Sequence, residues 1–161
     1  MAHWNTLAPD DNLETPPELF AALHREFNFT VDLTADASNH LLPTWFGPGG
    51  EIEDCLSVSW GTHRGYAFPP TTELIGAVAR KAVQEPDATV VMLLPFLPAE
   101  PWFATHIFAK ATEVRFLKHA PLLYFQKAPV DGVPMLMPFL LAVYDWKNRW
   151  PHPFVAICDS V

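Results

Sequence analysis

An α/β domain, built on a mostly parallel sheet with helices on both faces, is the fold class this sequence predicts. Three observations carry that expectation. Segments with helical and with strand periodicity alternate along the chain. Residues 88–95 form a continuous apolar run, the pattern of a strand covered on both faces. Asp32, Phe68 and Pro95 each fall at the end of an expected strand, so three loops should meet at one rim, where ligands sit in such sheets.

Residues 1–14 are polar and acidic and read as a flexible N-terminal arm ahead of one folded domain, 15–161. Thr15-Pro16-Pro17-Glu18 reads as a helix start, with Thr15 as N-cap, Pro16 at the first helical position and Glu18 closing a capping box. Leu19, Phe20, Leu23 and Phe27 give that helix an apolar face. Residues 29–34 alternate and are β-rich, which predicts a strand running into the polar loop 35–39. Residues 40–62 lack periodicity, carry Gly47-Pro48-Gly49-Gly50 and offer one core aromatic, Trp60. A short strand over 64–68 stops at Pro69. Thr72 then caps a helix through about Glu85, with Leu74, Ile75, Val78, Ala82 and Val83 as its buried stripe. Beyond the apolar strand come a short helix over 101–110, a strand over 113–117 and another within 122–125. Asp131-Gly132 is a turn signal. Residues 135–144 form a last long strand, interrupted near Pro138, that adds an antiparallel edge or insertion.

With 161 residues the chain fits one domain and can build a core without disulfides or metals. A hydrophobic fraction of 50% against 17% charged residues excludes a disordered chain. Cys55 and Cys158 match no metal or redox spacing and read as reduced structural thiols. Met1-Ala2-His3-Trp4 has neither the basic nor the apolar part of a signal peptide, and the apolar runs are too short for a bilayer. A cytoplasmic protein without membrane contact is therefore expected. The histidines show no ligand spacing, so no metal is expected. The absence of a phosphate-cradling glycine loop and of Gly-x-Ser-x-Gly sets aside nucleotide and serine hydrolases.

The net charge of −8 predicts weak nonspecific affinity for nucleic acid phosphates. It is uneven: residues 1–80 hold 11 acids and 3 bases, whereas residues 81–161 hold 7 of each. Arg115, Lys118, Lys127, Lys147 and Arg149 could form a local basic face; ordinary solvated charges are the plainer reading.

Six groups of residues follow one another in a particular order. They are Thr15-Pro16-Pro17; Phe27 to Phe29 with Asp32-Leu33-Thr34-Ala35-Asp36 and Asn39; Leu56 and Trp60; Pro69-Pro70; Val91-Met92-Leu93-Leu94-Pro95 with Trp102-Phe103; and Glu113-Val114-Arg115-Phe116-Leu117-Lys118. In that order and spacing the chain resembles the phage-type DNA N6-adenine methyltransferase (Dam-like) family over about residues 15–145. The resemblance implies a single-domain Rossmann-like methyltransferase fold, S-adenosylmethionine as methyl donor, an adenine in DNA as acceptor, and a phage protein at work in the host cytoplasm. Carried over by position, Thr15 and Pro16 lie near the methionine part of the cofactor, and Asp32, Thr34, Asp36 and Asn39 surround it at the end of the first strand. Phe68, Pro69, Pro70 and Thr71 take the place of the catalytic loop, and Tyr66, Trp102, Lys118 and His119 take substrate-side positions. Plainer roles stand beside these: a helix cap for Thr15 and for Asp32, core packing for Tyr66 and Phe68, and an ordinary surface position for His119.

The catalytic loop departs from the family's pattern. Where Asn-Pro-Pro-Tyr or Asp-Pro-Pro-Tyr is usual, this chain has Phe68-Pro69-Pro70-Thr71. The polar first residue accepts a hydrogen from the amine of the base, and the aromatic fourth stacks on the flipped ring. Phe68 has no acceptor and Thr71 no ring. His119-Ala120 also replaces the family's Gly-Arg. Three readings follow: a DNA adenine methyltransferase with weakened or lost transfer, a methylase scaffold serving as a binding or inhibitory module for a protein partner, and an enzyme turned to another base modification.

Overall fold

A computed structural model describes residues 13–119, 121, 124–125, 128–129, 138–148 and 154–158. In chain order its elements are α1 (Pro17–Phe27), β1 (Val31–Asp32), β2 (Arg64–Ala67), α2 (Thr72–Gln84), β3 (Thr89–Pro95), a π-helical segment (Phe103–Phe108), β4 (Glu113–Leu117), β5 (Tyr124–Phe125), β6 (Ala128–Pro129), β7 (Phe139–Asp145), a 3₁₀ turn (Trp146–Asn148) and β8 (Phe154–Cys158). The expected turn at Asp131-Gly132 and the start of the last strand, 135–137, lie outside the described residues.

Burial dictates where the strands sit. From Val90 to Pro95, β3 is buried throughout, so it needs neighbours on both edges and cover on both faces. It pairs parallel with β2, which pairs parallel with β1. Its other edge pairs antiparallel with β7 along seven residues, from Thr89↔Asp145 to Pro95↔Phe139. β7 is equally apolar, and it also pairs antiparallel with β4. The order is β1-β2-β3-β7-β4-β8, with β4 and β8 parallel, so β7 alone opposes the other five strands. The antiparallel strand expected near 135–144 is thus an interior insertion, because an all-apolar strand would leave an edge bare. β5 and β6 form a separate two-stranded ladder.

The two faces have separate cores. α1 lays Leu19 and Leu23 with Phe29 against Tyr66, Val91, Leu93 and Leu141. On the opposite face α2 lays Ile75, Val78, Ala79 and Ala82 against Ala67, Val90, Met92 and Leu94, together with Phe103 and Ile107 of the π-helical segment. Trp60 is fully buried there; its indole N–H donates to the Cys55 carbonyl at 2.8 Å, and its backbone N–H to Glu85 at 3.0 Å. Arg115 of β4 makes a bidentate pair with Glu26 of α1 at 2.6 and 2.8 Å and two further bonds to Glu113 at 2.7 and 3.0 Å. Those ion pairs tie the end of α1 to the sheet.

Both helix caps differ by one residue from the sequence expectation. Thr15 does not cap α1: Pro16 is the N-cap without a side-chain bond, and Pro17 is the first helical residue. The Thr15 hydroxyl instead shares a 2.6 Å buried hydrogen bond with the Tyr66 hydroxyl, a tertiary partner that local pattern cannot reveal. In α2 the cap is Thr71 and not Thr72; its hydroxyl accepts the Leu74 N–H at 3.2 Å. The strand expected over 29–34 shortens to β1, although Thr30 and Leu33 continue to bond to the carbonyls of Arg64 and Tyr66. No helix follows Asp32, so it caps none; residues 33–39 are turns and loop.

Candidate functional site

β1, β2 and β3 run in one direction, so Asp32, Ala67 and Pro95 end at the same rim, as the sequence predicts. The loops leaving β1 and β2 enclose a cavity of about 330 Å³ there. Three local devices shape its β1 side. Asp36 Oδ1 accepts the Ser38 N–H at 2.7 Å, and Asn39 Oδ1 accepts the Asp36 N–H at 2.8 Å, which closes the 36–39 turn. The segment 44–46 lies along the outer edge of β1: Asp32 N–H donates to the Thr44 carbonyl and Phe46 N–H to the Asp32 carbonyl. Gly47 then turns the chain over Ala35 with φ of 142°, and a Cβ there would stand 1.9 Å from the Ala35 carbonyl oxygen. Only glycine fits that approach.

The cavity walls combine apolar groups with carboxylates. Leu33, Phe46, Phe68 and Leu74 supply flat apolar surface; Asp36, Glu53 and Asp54 supply negative charge. A recess of about 20 Å³, room for one water, adjoins it beside Thr15, Asp32 and Tyr66. Asp32 is 4% exposed, and burial pushes its carboxyl up to about 6. The N–H groups of Leu41 and Thr34 and the charge of His40 pull the other way without cancelling that cost. Burial likewise raises the Tyr66 hydroxyl, which stays protonated. The Cys55 thiol is pushed up to about 11 by burial, with the Asp54 charge adding to it.

The expected residues divide into two sets. Asp32, Thr34, Asp36, Asn39, Thr15, Tyr66, Phe68 and Pro70 line the cavity or the recess. Phe68 serves both pocket and core: its ring borders both spaces and meets Phe139 edge-on at 6.4 Å, while its N–H donates to Thr34 Oγ1 at 3.0 Å. Pro16 and Pro69 are buried and line neither space, and Thr71 is the helix cap. Trp102 packs on α2, where a Cβ on Gly76 would come within 2.7 Å of its ring, and does not reach the cavity. Lys118 and His119 are exposed past the end of β4, three strand spacings (roughly 14 Å) from β2. The basic residues do not assemble either. Arg115 is engaged by Glu26 and Glu113, and Lys147 lies in a groove at the opposite, amino end of the strands; Lys127 and Arg149 fall outside the described residues.

Sequence reasoning missed Leu13, Phe46, Glu53, Asp54, Cys55 and Leu74 as lining residues. Leu13 and Glu14, assigned to the arm, sit against the site. The one usable signal was the acidic run Glu51-Ile52-Glu53-Asp54 directly after the glycine turn. Among the described residues no group of three or more His, Cys, Asp or Glu side chains could hold a metal ion, and no helix is long and apolar enough to cross a membrane.

The α/β sheet carries a cavity lined by apolar groups and carboxylates at the ends of its parallel strands, the place where ligands sit in sheets of this kind. The family model for DNA N-6-adenine-methyltransferase (Dam) matches residues 5–132, and the chain belongs to that family. No curated protein matches it. The family match covers the whole rim, including the Phe68-Pro69-Pro70-Thr71 loop. Methyltransferases of this kind generally take the methyl group from S-adenosylmethionine.

Proposed function

We propose that this chain binds S-adenosylmethionine in the rim cavity of a Rossmann-like domain and presents it to a base in DNA at the Phe68 loop, with transfer to an adenine amine weakened by the loop's own side chains. The domain is assigned to residues 15–161 and its work to the host cytoplasm. The observation that carries the reading is the cavity's position, between the carboxylates after β1 and the diproline after β2. Most of the cofactor suits this lining: its adenine needs flat apolar walls, its ribose hydroxyls need acceptors, and its ammonium and sulfonium need negative charge, whereas its carboxylate meets no basic side chain among the described lining residues. Leu33, Phe46 and Leu74 would flank the adenine; Glu53, Asp54 and Asp36 would accept from the hydroxyls and the ammonium.

When bound, the cofactor supplies an electrophilic methyl group. The protein must then make an amine nucleophilic whose lone pair is delocalised into the ring. Phe68 offers that amine no acceptor, and losing one such contact costs roughly 10²–10³ in rate. Thr71 spends its hydroxyl on the helix and provides no stacking surface, a contact worth roughly 1–3 kcal/mol per base. Phe68→Asn combined with Thr71→Tyr is expected to raise N6-methyladenine in DNA at least about 100-fold, measured by mass spectrometry of the nucleosides. No gain counts against the reading.

A second reading is favoured by the inward commitment of the loop's polar atoms: Phe68 N–H bonds to Thr34 and the Thr71 hydroxyl to Leu74 N–H. There the scaffold is a binding module for a protein partner, and failure to bind S-adenosylmethionine together with a stable partner in pull-down selects it.

A further inference from the structure

We infer that Glu85, at the far end of α2 from the rim, is a positioning residue for the rim cavity: acting through Trp60, it fixes the Cys55 segment that forms part of the cavity wall. The inference rests on the rim cavity as the ligand site and adds to it a residue outside the cavity.

Glu85 is a buried carboxylate, 8% exposed, that lines neither the cavity nor the recess. It is the C-cap of α2, and the 13 residues of that helix put it roughly 20 Å from the Thr71 end, which lies at the rim. Both of its oxygens have partners. Oε2 accepts the Ser59 hydroxyl and the Trp60 N–H, each at 3.0 Å, and Oε1 accepts from Lys81 Nζ at 2.8 Å. Lys81 Nζ also stands over the Trp60 ring, 5.2 Å from its centroid. Trp60 is thus held by its backbone and by the face of its ring.

The indole carries this hold toward the cavity. It is fully buried, and its N–H donates to the Cys55 carbonyl at 2.8 Å. Cys55 lines the cavity beside Glu53 and Asp54. The local bonds of this segment, Leu56 N–H to Asp54 Oδ1 and Ser57 hydroxyl to the Asp54 carbonyl, close a turn upon itself. They set its shape and leave its place in the fold to the indole. Trp has only two side-chain torsions, so once its backbone and ring face are held, its N–H has one direction to point. Without that donor the buried Cys55 carbonyl must find another partner, and the wall moves with it.

The test is calorimetric titration of the full chain with S-adenosylmethionine, run beside urea unfolding and peptide-resolved alkylation of Cys55 by iodoacetamide under native conditions. Glu85→Gln loses the charge pairing with Lys81 but keeps an oxygen for the Trp60 N–H, so it should lose stability and hold the parent Kd within about twofold. Glu85→Ala removes the support and Trp60→Phe the indole N–H; each should raise Kd about tenfold and speed Cys55 alkylation several-fold. Ile107→Val, at a fully buried position that lines neither space, should lose stability with both readouts unchanged. Parent-like Kd and alkylation in both Glu85→Ala and Trp60→Phe would overturn the positioning role and leave the cofactor site standing. So would a loss of affinity in Glu85→Gln as large as in Glu85→Ala. Faster Cys55 alkylation in Glu85→Ala and Trp60→Phe, when the parent itself binds no S-adenosylmethionine, would overturn the cofactor reading and support the hold on the wall.

Discussion

The two sides of the rim spend their polar groups differently. On the β1 side, Asp36, Glu53 and Asp54 line the cavity, and each carboxylate also accepts a nearby loop N–H, from Ser38, Gly49 and Leu56. On the β2 side the polar atoms turn into the protein: Tyr66 hydroxyl to Thr15, Phe68 N–H to Thr34, Thr71 hydroxyl to the first turn of α2. The difference shows that the backbone of the diproline loop is held for structural reasons. Buried Pro69 stops β2, and Thr71 starts α2. Neither duty falls on the side chain at position 68, so that position can change without altering the loop's place in the fold.

The largest expected effect is at the turn that forms the β1 side. Gly47→Ala forces a Cβ onto the Ala35 carbonyl at a left-handed φ and should cost about 3 kcal/mol in denaturant unfolding. It should also abolish S-adenosylmethionine binding; retained binding would separate the turn from the pocket.

Next is the pH response of Asp32. Its carboxyl rises from 3.8 to about 6 on folding, so the folded state holds the proton more tightly than the unfolded chain. The stability this group contributes is fully present below about pH 4 and is lost as pH climbs to about 6. Two pKa units correspond to about 3 kcal/mol. Asp32→Asn should therefore be more stable than the parent at pH 7 by an amount that shrinks toward zero at pH 4, read as the difference between two urea-unfolding series. A constant difference across that window would mean the carboxyl is not protonated on folding.

The smallest effect belongs to the β2 side. Thr71→Ala should lower stability by about 1 kcal/mol and Thr71→Ser by much less, as for a helix cap. An unchanged melting temperature in the alanine variant would free Thr71 from its structural role and sharpen the case for a part in the chemistry.

Much of this arrangement was legible in the chain because it is local. The apolar runs pointed to β3 and to a last long antiparallel strand, β7, whose place inside the sheet they left open, and the stripe of Ile75, Val78 and Ala82 pointed to α2. What was not legible depends on partners distant in sequence. Thr15 has all the attributes of a cap, but a hydroxyl 51 residues away claims it. Glu53, Asp54 and Cys55 reach the cavity only because Phe46 bridges to Ile52 after the Gly47 turn, inside a stretch with no period. The order of the Asp32, diproline and Pro95 segments pointed to the rim, whereas which side chains face the cavity was a matter of tertiary packing. Trp102 was matched by position, and its ring packs against Gly76 of α2.

The inverted strand at the centre of the sheet has a consequence for synthesis. β3 leaves the ribosome well before its antiparallel partner: the 44 residues from Pro95 to Phe139 take roughly 2–9 s to translate. Through that interval the nascent chain carries an apolar strand with one edge unpaired, the form most prone to pair with a neighbour. Yield of this protein should therefore depend on translation speed and chaperone supply more steeply than its final stability would indicate.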